Sequence, residues 1–112
     1  ELKDLISIYK KNREKMFECY TFPIGDIPSN ESWSGFQMLN DEKTEGFFLL
    51  FREIHNMEPN KTIQVKFLAD KKVKIKNLRT GVVQEQNVDS NGNLQFSIQD
   101  KADFLFLSYQ VL

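Results

Sequence analysis

The residues able to do chemistry in this chain are few and scattered. It holds one histidine, His55, and one cysteine, Cys19, with no acid cluster around either. A zinc site and a nucleophile–base pair therefore both lack parts, and a lone cysteine rules out an internal disulfide. Carboxylates are plentiful at Asp26, Glu31, Asp41, Glu42, Glu45, Glu53 and Glu58. Glycoside chemistry would need two of them facing each other across a cleft at a defined separation. Most fall in loop-like stretches, and nothing marks any two as partners. The glycines are isolated, so no phosphate-cradling loop is present. These patterns predict a chain with no catalytic residues, no metal and no cofactor of its own.

Two features point to binding instead. Trp33 is the only tryptophan, and Phe36 follows it on the opposite face of the same predicted strand. An aromatic face can stack on a sugar ring, which makes Trp33 and Phe36 candidate carbohydrate-binding residues. The alternative is that Trp33 closes one end of the core or packs beneath a helix. Lys72, Lys74 and Lys76 alternate with Val73 and Ile75, so the three lysines share one face of a strand. Aromatics do not interleave with them, which favours a solvated face or a protected sheet edge over a phosphate-binding patch.

Composition sets the frame for these residues. The 112 residues suffice for one domain, and 15 basic against 16 acidic side chains leave a formal charge of -1. That balance predicts neither nucleic acid nor an anionic membrane as a partner. No apolar run approaches the length of a membrane span. The sequence opens at Glu1, without a methionine and inside a helical pattern, so we expect a piece of a longer protein.

The elements follow from periodicity. Leu2, Leu5, Ile6, Tyr9, Met16, Phe17 and Tyr20 fall along one side of a helix, with Lys3, Lys10, Lys11, Glu14, Lys15 and Glu18 mostly elsewhere. This predicts an amphipathic helix over residues 1–20. Residues 21–31 hold two prolines and a glycine and read as a connector with turns, not an element. Strand signals then repeat over residues 32–112. The run Phe47-Phe48-Leu49-Leu50-Phe51 does not alternate, so it must be covered on both faces. The same holds for Phe104-Leu105-Phe106-Leu107, and both segments should lie in sheet centres. Ile63, Val65 and Phe67 alternate with polar neighbours and predict one buried face. Arg79-Thr80-Gly81 and Asp89-Ser90-Asn91-Gly92 read as hairpin turns. The expected fold is mainly β: an antiparallel β-sandwich of about seven to eight strands after one N-terminal amphipathic α-helix.

Several stretches resemble a known family. Ile8-Tyr9-Lys10-Lys11-Asn12-Arg13-Glu14-Lys15-Met16-Phe17 is similar to the closing helix of a catalytic (β/α) barrel. Phe22-Pro23-Ile24-Gly25-Asp26-Ile27-Pro28, then Ser32-Trp33-Ser34-Gly35-Phe36-Gln37 and Gly46-Phe47-Phe48-Leu49-Leu50-Phe51-Arg52-Glu53, resembles the junction between barrel and β-sandwich in α-galactosidase-like glycoside hydrolases of family 36. Phe104-Leu105-Phe106-Leu107-Ser108-Tyr109 looks like the last strand of their C-terminal domain. The resemblance spans nearly the whole chain, but it does not include the two barrel aspartates that act in that family. It implies a non-catalytic accessory domain that covers and stabilises the barrel of a parent enzyme, with residues 1–20 as a remnant of that barrel. On that reading Leu2, Leu5, Ile6 and Tyr9 are interface residues. Without the barrel, the helix should fold back on the sandwich or pair with a second copy of the chain. The competing readings are a carbohydrate-binding module and a protein-interaction or oligomerisation domain.

Overall fold

The computed structural model describes residues 2–112; Glu1 and the side chain of Leu2 lie outside the described set. Helix α1 runs over Leu2–Phe17. No glycine or proline interrupts it, Asp4 sits in its first turn and Lys15 in its last, and both charges suit the helix dipole. It closes with tightened bonds from Glu18 N to Lys15 O and from Cys19 N to Met16 O. Eight strands follow: β1 Tyr20–Gly25, β2 Trp33–Leu39, β3 Glu45–Arg52, β4 Asn60–Gln64, β5 Lys72–Asn77, β6 Val83–Asn87, β7 Asn93–Ser97 and β8 Asp103–Val111. Six form one antiparallel sheet in the order β1-β2-β3-β8-β5-β6, and β4 pairs with β7 in a two-stranded ribbon. The mainly β expectation, with one leading helix, holds.

The architecture has three layers, and that explains the two greasy strands. β3 and β8 are the middle pair of the large sheet. Phe47, Leu49 and Phe51 turn to one face and pack with Ile8 and Met16 of α1, together with Phe104 and Phe106. Phe48 and Leu50 turn to the other, where they meet Ile63, Leu94 and Phe96 from the ribbon and Leu107 and Tyr109 from β8. Each large apolar side chain buried this way contributes roughly 1.5–3 kcal/mol of transfer free energy. Phe48 links the layers in the second core, stacked on Tyr109 at 4.5 Å and edge-on to Phe96 at 5.2 Å.

One polar network crosses the larger core. Gln37 is fully buried in β2, and its Nε2 donates to Lys66 O at 2.9 Å and to the Tyr109 hydroxyl at 3.1 Å. Its Oε1 accepts from Lys66 N at 2.6 Å, and the Tyr109 hydroxyl donates to Met38 O at 3.2 Å. Burial pushes the Tyr109 hydroxyl up to about 12, partly offset by the Gln37 bond.

Three expectations are corrected. Residues 21–31 are not simply a connector, because Tyr20–Gly25 forms β1 and pairs with β2 from Tyr20↔Leu39 to Gly25↔Ser34. Pro23 disguised it; an outermost strand is where a sheet tolerates proline, and β1 is outermost. The sandwich therefore begins at Tyr20 rather than at residue 32. Asp89–Gly92 has the turn chemistry expected of it, with Gly92 at φ +83° and Asp89 Oδ1 accepting from Asn91 N and Asn93 N. Yet it joins strands of different sheets, since β6 pairs with β5 and β7 with β4. Turn geometry is local, whereas strand pairing follows from which faces are apolar. Phe67 leaves the buried face because its backbone turns to φ +61°, and the ring sits outside against Phe22 at 5.7 Å. Arg52, at the end of β3, is buried. Its guanidinium donates to the carbonyls of Ile98, Gln99 and Asn56, which ties the end of β3 to two loops.

Candidate functional site

Trp33 does not offer a face to a ligand. It is fully buried at an inward position of β2, and its Nε1 donates to Glu58 O at 2.7 Å. Its own backbone N–H is held by Asp26 Oδ2 at 3.0 Å. A stacking platform needs an exposed ring, so the sugar-binding role expected of Trp33 is overturned; it packs within the sandwich core. Phe36 does point the other way, and it is 44% exposed on the face of the sheet that carries α1. The two aromatics thus lie on opposite faces of β2 and form no joint surface.

The helix is the element with unused surface. Leu5, Ile8 and Met16 recur at helical spacing and pack onto Met38, Phe47, Phe104 and Phe106. The expectation that the helix folds back on the sheet therefore holds for Leu5. Ile6 and Tyr9 take no part in that packing and stay 45% and 38% exposed, as does Phe17 at 74%. Leu2 belongs to the same expectation, and its side chain lies outside the described residues. At about 100° per residue, Ile6 and Phe17 fall on one line of the helix, roughly a third of a turn round from the middle line of the buried arc that Leu5, Ile8 and Met16 span. Tyr9 lies between the two lines. The apolar arc of α1 is thus wider than the sheet it covers, and its outer half faces solvent.

Ion pairs hold the rim of this helix. Lys15 Nζ meets Glu45 Oε1 at 3.3 Å, and Arg79 bridges Asp4 at 3.5 Å and Asp103 at 3.1 Å. The Arg79 guanidinium also lies 4.2 Å from the centre of the Phe104 ring. Such surface pairs add at most about 1 kcal/mol each, so they orient α1, while the apolar stripe holds it. Ile8 is a core contact that the apolar pattern left out, although its spacing from Leu5 marks it.

The titratable groups do not converge. His55 sits exposed in the loop after β3, where its backbone N–H donates to Asn30 O. Burial pushes the Cys19 thiol up, as do Glu45 and Glu18, against a smaller opposing effect of Lys15. A raised thiol is a poor nucleophile. Asp26 and Glu58 both face Lys61, at 3.5 and 3.9 Å. Among the described residues no three of His, Cys, Asp and Glu come together as a metal site would require. Lys72, Lys74 and Lys76 form an exposed row on β5, which lies between β8 and β6 rather than at an edge, and Lys72 pairs with Glu85 at 3.2 Å. No helix among the described residues is long and apolar enough to cross a membrane. No family model, no curated protein and no solved structure matches the chain.

Proposed function

We propose that this chain is a non-catalytic accessory β-sandwich domain that packs against the catalytic barrel of an α-galactosidase-like glycoside hydrolase and stabilises it. The observation that carries the reading is the two-sided helix. One apolar arc of α1 seals the sheet, and beyond it Ile6, Tyr9 and Phe17 stay exposed, open to another folded body. The stretches that resemble the hydrolase junction are also one structural block. They fall in α1, the first three strands and β8, which together are the helix and four adjacent strands of the sheet it covers. A barrel lying on the outer line of α1 would bury the apolar arc that the sheet leaves open.

The test is made on the uninterrupted reading frame to which the chain belongs, beside the 112-residue chain itself. The longer protein should hydrolyse nitrophenyl α-galactosides and the short chain should not. Ile6→Glu with Phe17→Glu should destabilise the longer protein by about 2–5 kcal/mol, since two buried apolar contacts become buried charges. The short chain should keep its stability, because there the same positions face water. Turnover by the short chain, or a reading frame with no barrel, would refute the proposal. A stable dimer of the short chain that the Phe17→Glu substitution dissociates would instead support self-association through α1.

A further inference from the structure

The sandwich is closed along one side and open along the other. β4 lies against β1, whereas β6 has no strand beyond β5 and β7 none beyond β4. On that open side runs a groove of about 330 Å³ between the large sheet and the ribbon. Ligand pockets run from about 300 to 1,000 Å³, so this one suits a small ligand.

Its lining differs from the rest of the interior. Gln84 and Gln86 stand opposite Ile75 and Val73 in the β5–β6 register. Directly opposed residues project to the same face, so both amides point inward, where β3, β5 and β8 carry apolar side chains. Gln86 Nε2 donates to Gln84 Oε1 at 3.3 Å, which aligns the two amides. Across the groove runs the outer edge of β7, whose Gln95 and Ser97 alternate with the inward Leu94 and Phe96, and Ile75, Phe96 and Leu107 lie along its floor. Among the described residues, no charged side chain lines it.

We propose that this groove binds a neutral sugar of one or two rings. A primary amide offers both donors and an acceptor, so one amide can donate to one ring hydroxyl and accept from its neighbour. The aliphatic floor takes the C–H face of the ring. A charged ligand would find no counter-charge here, and a purely apolar one would leave the amides desolvated without partners. The groove lies on the side of the sheet away from α1, so its occupancy does not depend on the docking proposed for the helix. It is also separate from Trp33.

The experiment follows the side-chain amide resonances of the full, isotope-labelled chain during titration with melibiose and maltose, with glucuronate as the charged control. Saturable shifts at Gln84 and Gln86 are expected with a neutral disaccharide, with weaker binding of glucuronate. Gln84→Ala, at an exposed edge position, should keep the native spectrum and weaken binding by about tenfold, as the loss of one or two hydrogen bonds predicts. Gln86→Ala on the same strand should do the same, and it serves if the first variant misfolds. The proposal is overturned if no neutral sugar gives saturable shifts up to tens of millimolar, if the shifts fall outside the groove, or if both variants bind as the parent does.

Discussion

Replacing Tyr109 by Phe separates a buried hydroxyl from a merely neighbouring one. Near neutral pH the substitution removes a bond accepted from Gln37 and one donated to Met38 O. Buried hydrogen bonds are each worth about 0.5–1.5 kcal/mol net, so the variant should lose roughly 1–3 kcal/mol. Alkaline conditions narrow the difference. The folded chain holds the Tyr109 proton to about 12 against an ordinary 10. Between those values the unfolded chain releases the proton and the folded chain keeps it, so unfolding is favoured progressively as pH rises. The stabilisation is complete below about pH 10 and is lost towards pH 12, an effect of about 2–3 kcal/mol at 1.36 kcal/mol per unit. The Phe variant has no such dependence. Urea unfolding followed by the fluorescence of the buried Trp33, at pH steps from about 8 to 11.5, should show the stability of the parent fall by about 2 kcal/mol relative to the Phe variant. A gap that stays constant across that range would show that the hydroxyl titrates like an exposed tyrosine, and its burial in the core would be refuted.

Two further outcomes test the packing. Ile8→Ala should destabilise the chain by about 2–4 kcal/mol because it empties the helix–sheet core, whereas Ile6→Ala should change stability by less than about 0.5 kcal/mol; equal effects in thermal melts would mean that α1 is docked on a different line. Gly46→Ala should give little folded protein, because a Cβ there would overlap the Met38 carbonyl and come within 2.9 Å of the Tyr109 hydroxyl. Gly81→Ala meets nothing within 4 Å, and only its φ of +81° is strained. That variant should stay folded at a cost of about 1 kcal/mol, readable as a shift in urea midpoint.

The central strands were legible because their physics is in the residue pattern. An unbroken apolar run needs cover on both sides, and β3 and β8 receive it from α1 and the ribbon. What the pattern could not carry was pairing and parity at polar positions. Gln37 reads as a polar residue in a strand, yet its inward position, two residues from Leu39 and four from Trp33, puts it in the core. Arg52 reads as the soluble end of a greasy run, and only the fold supplies the three carbonyls that accept from it. Trp33 reads equally as a binding surface, because residue type does not say which face of a strand is inside. Gln84 and Gln86 carried a usable signal, two amides at strand period, but their meaning depends on the ribbon stopping short of β6.

The most direct test of the accessory-domain account is to add the separately expressed catalytic portion of the same reading frame to the isotope-labelled chain and map the resonances that change. The account predicts saturable changes at Ile6, Tyr9 and Phe17 and a higher melting temperature for the catalytic portion. Failure to bind, or binding that leaves the outer line of α1 unchanged, would contradict it.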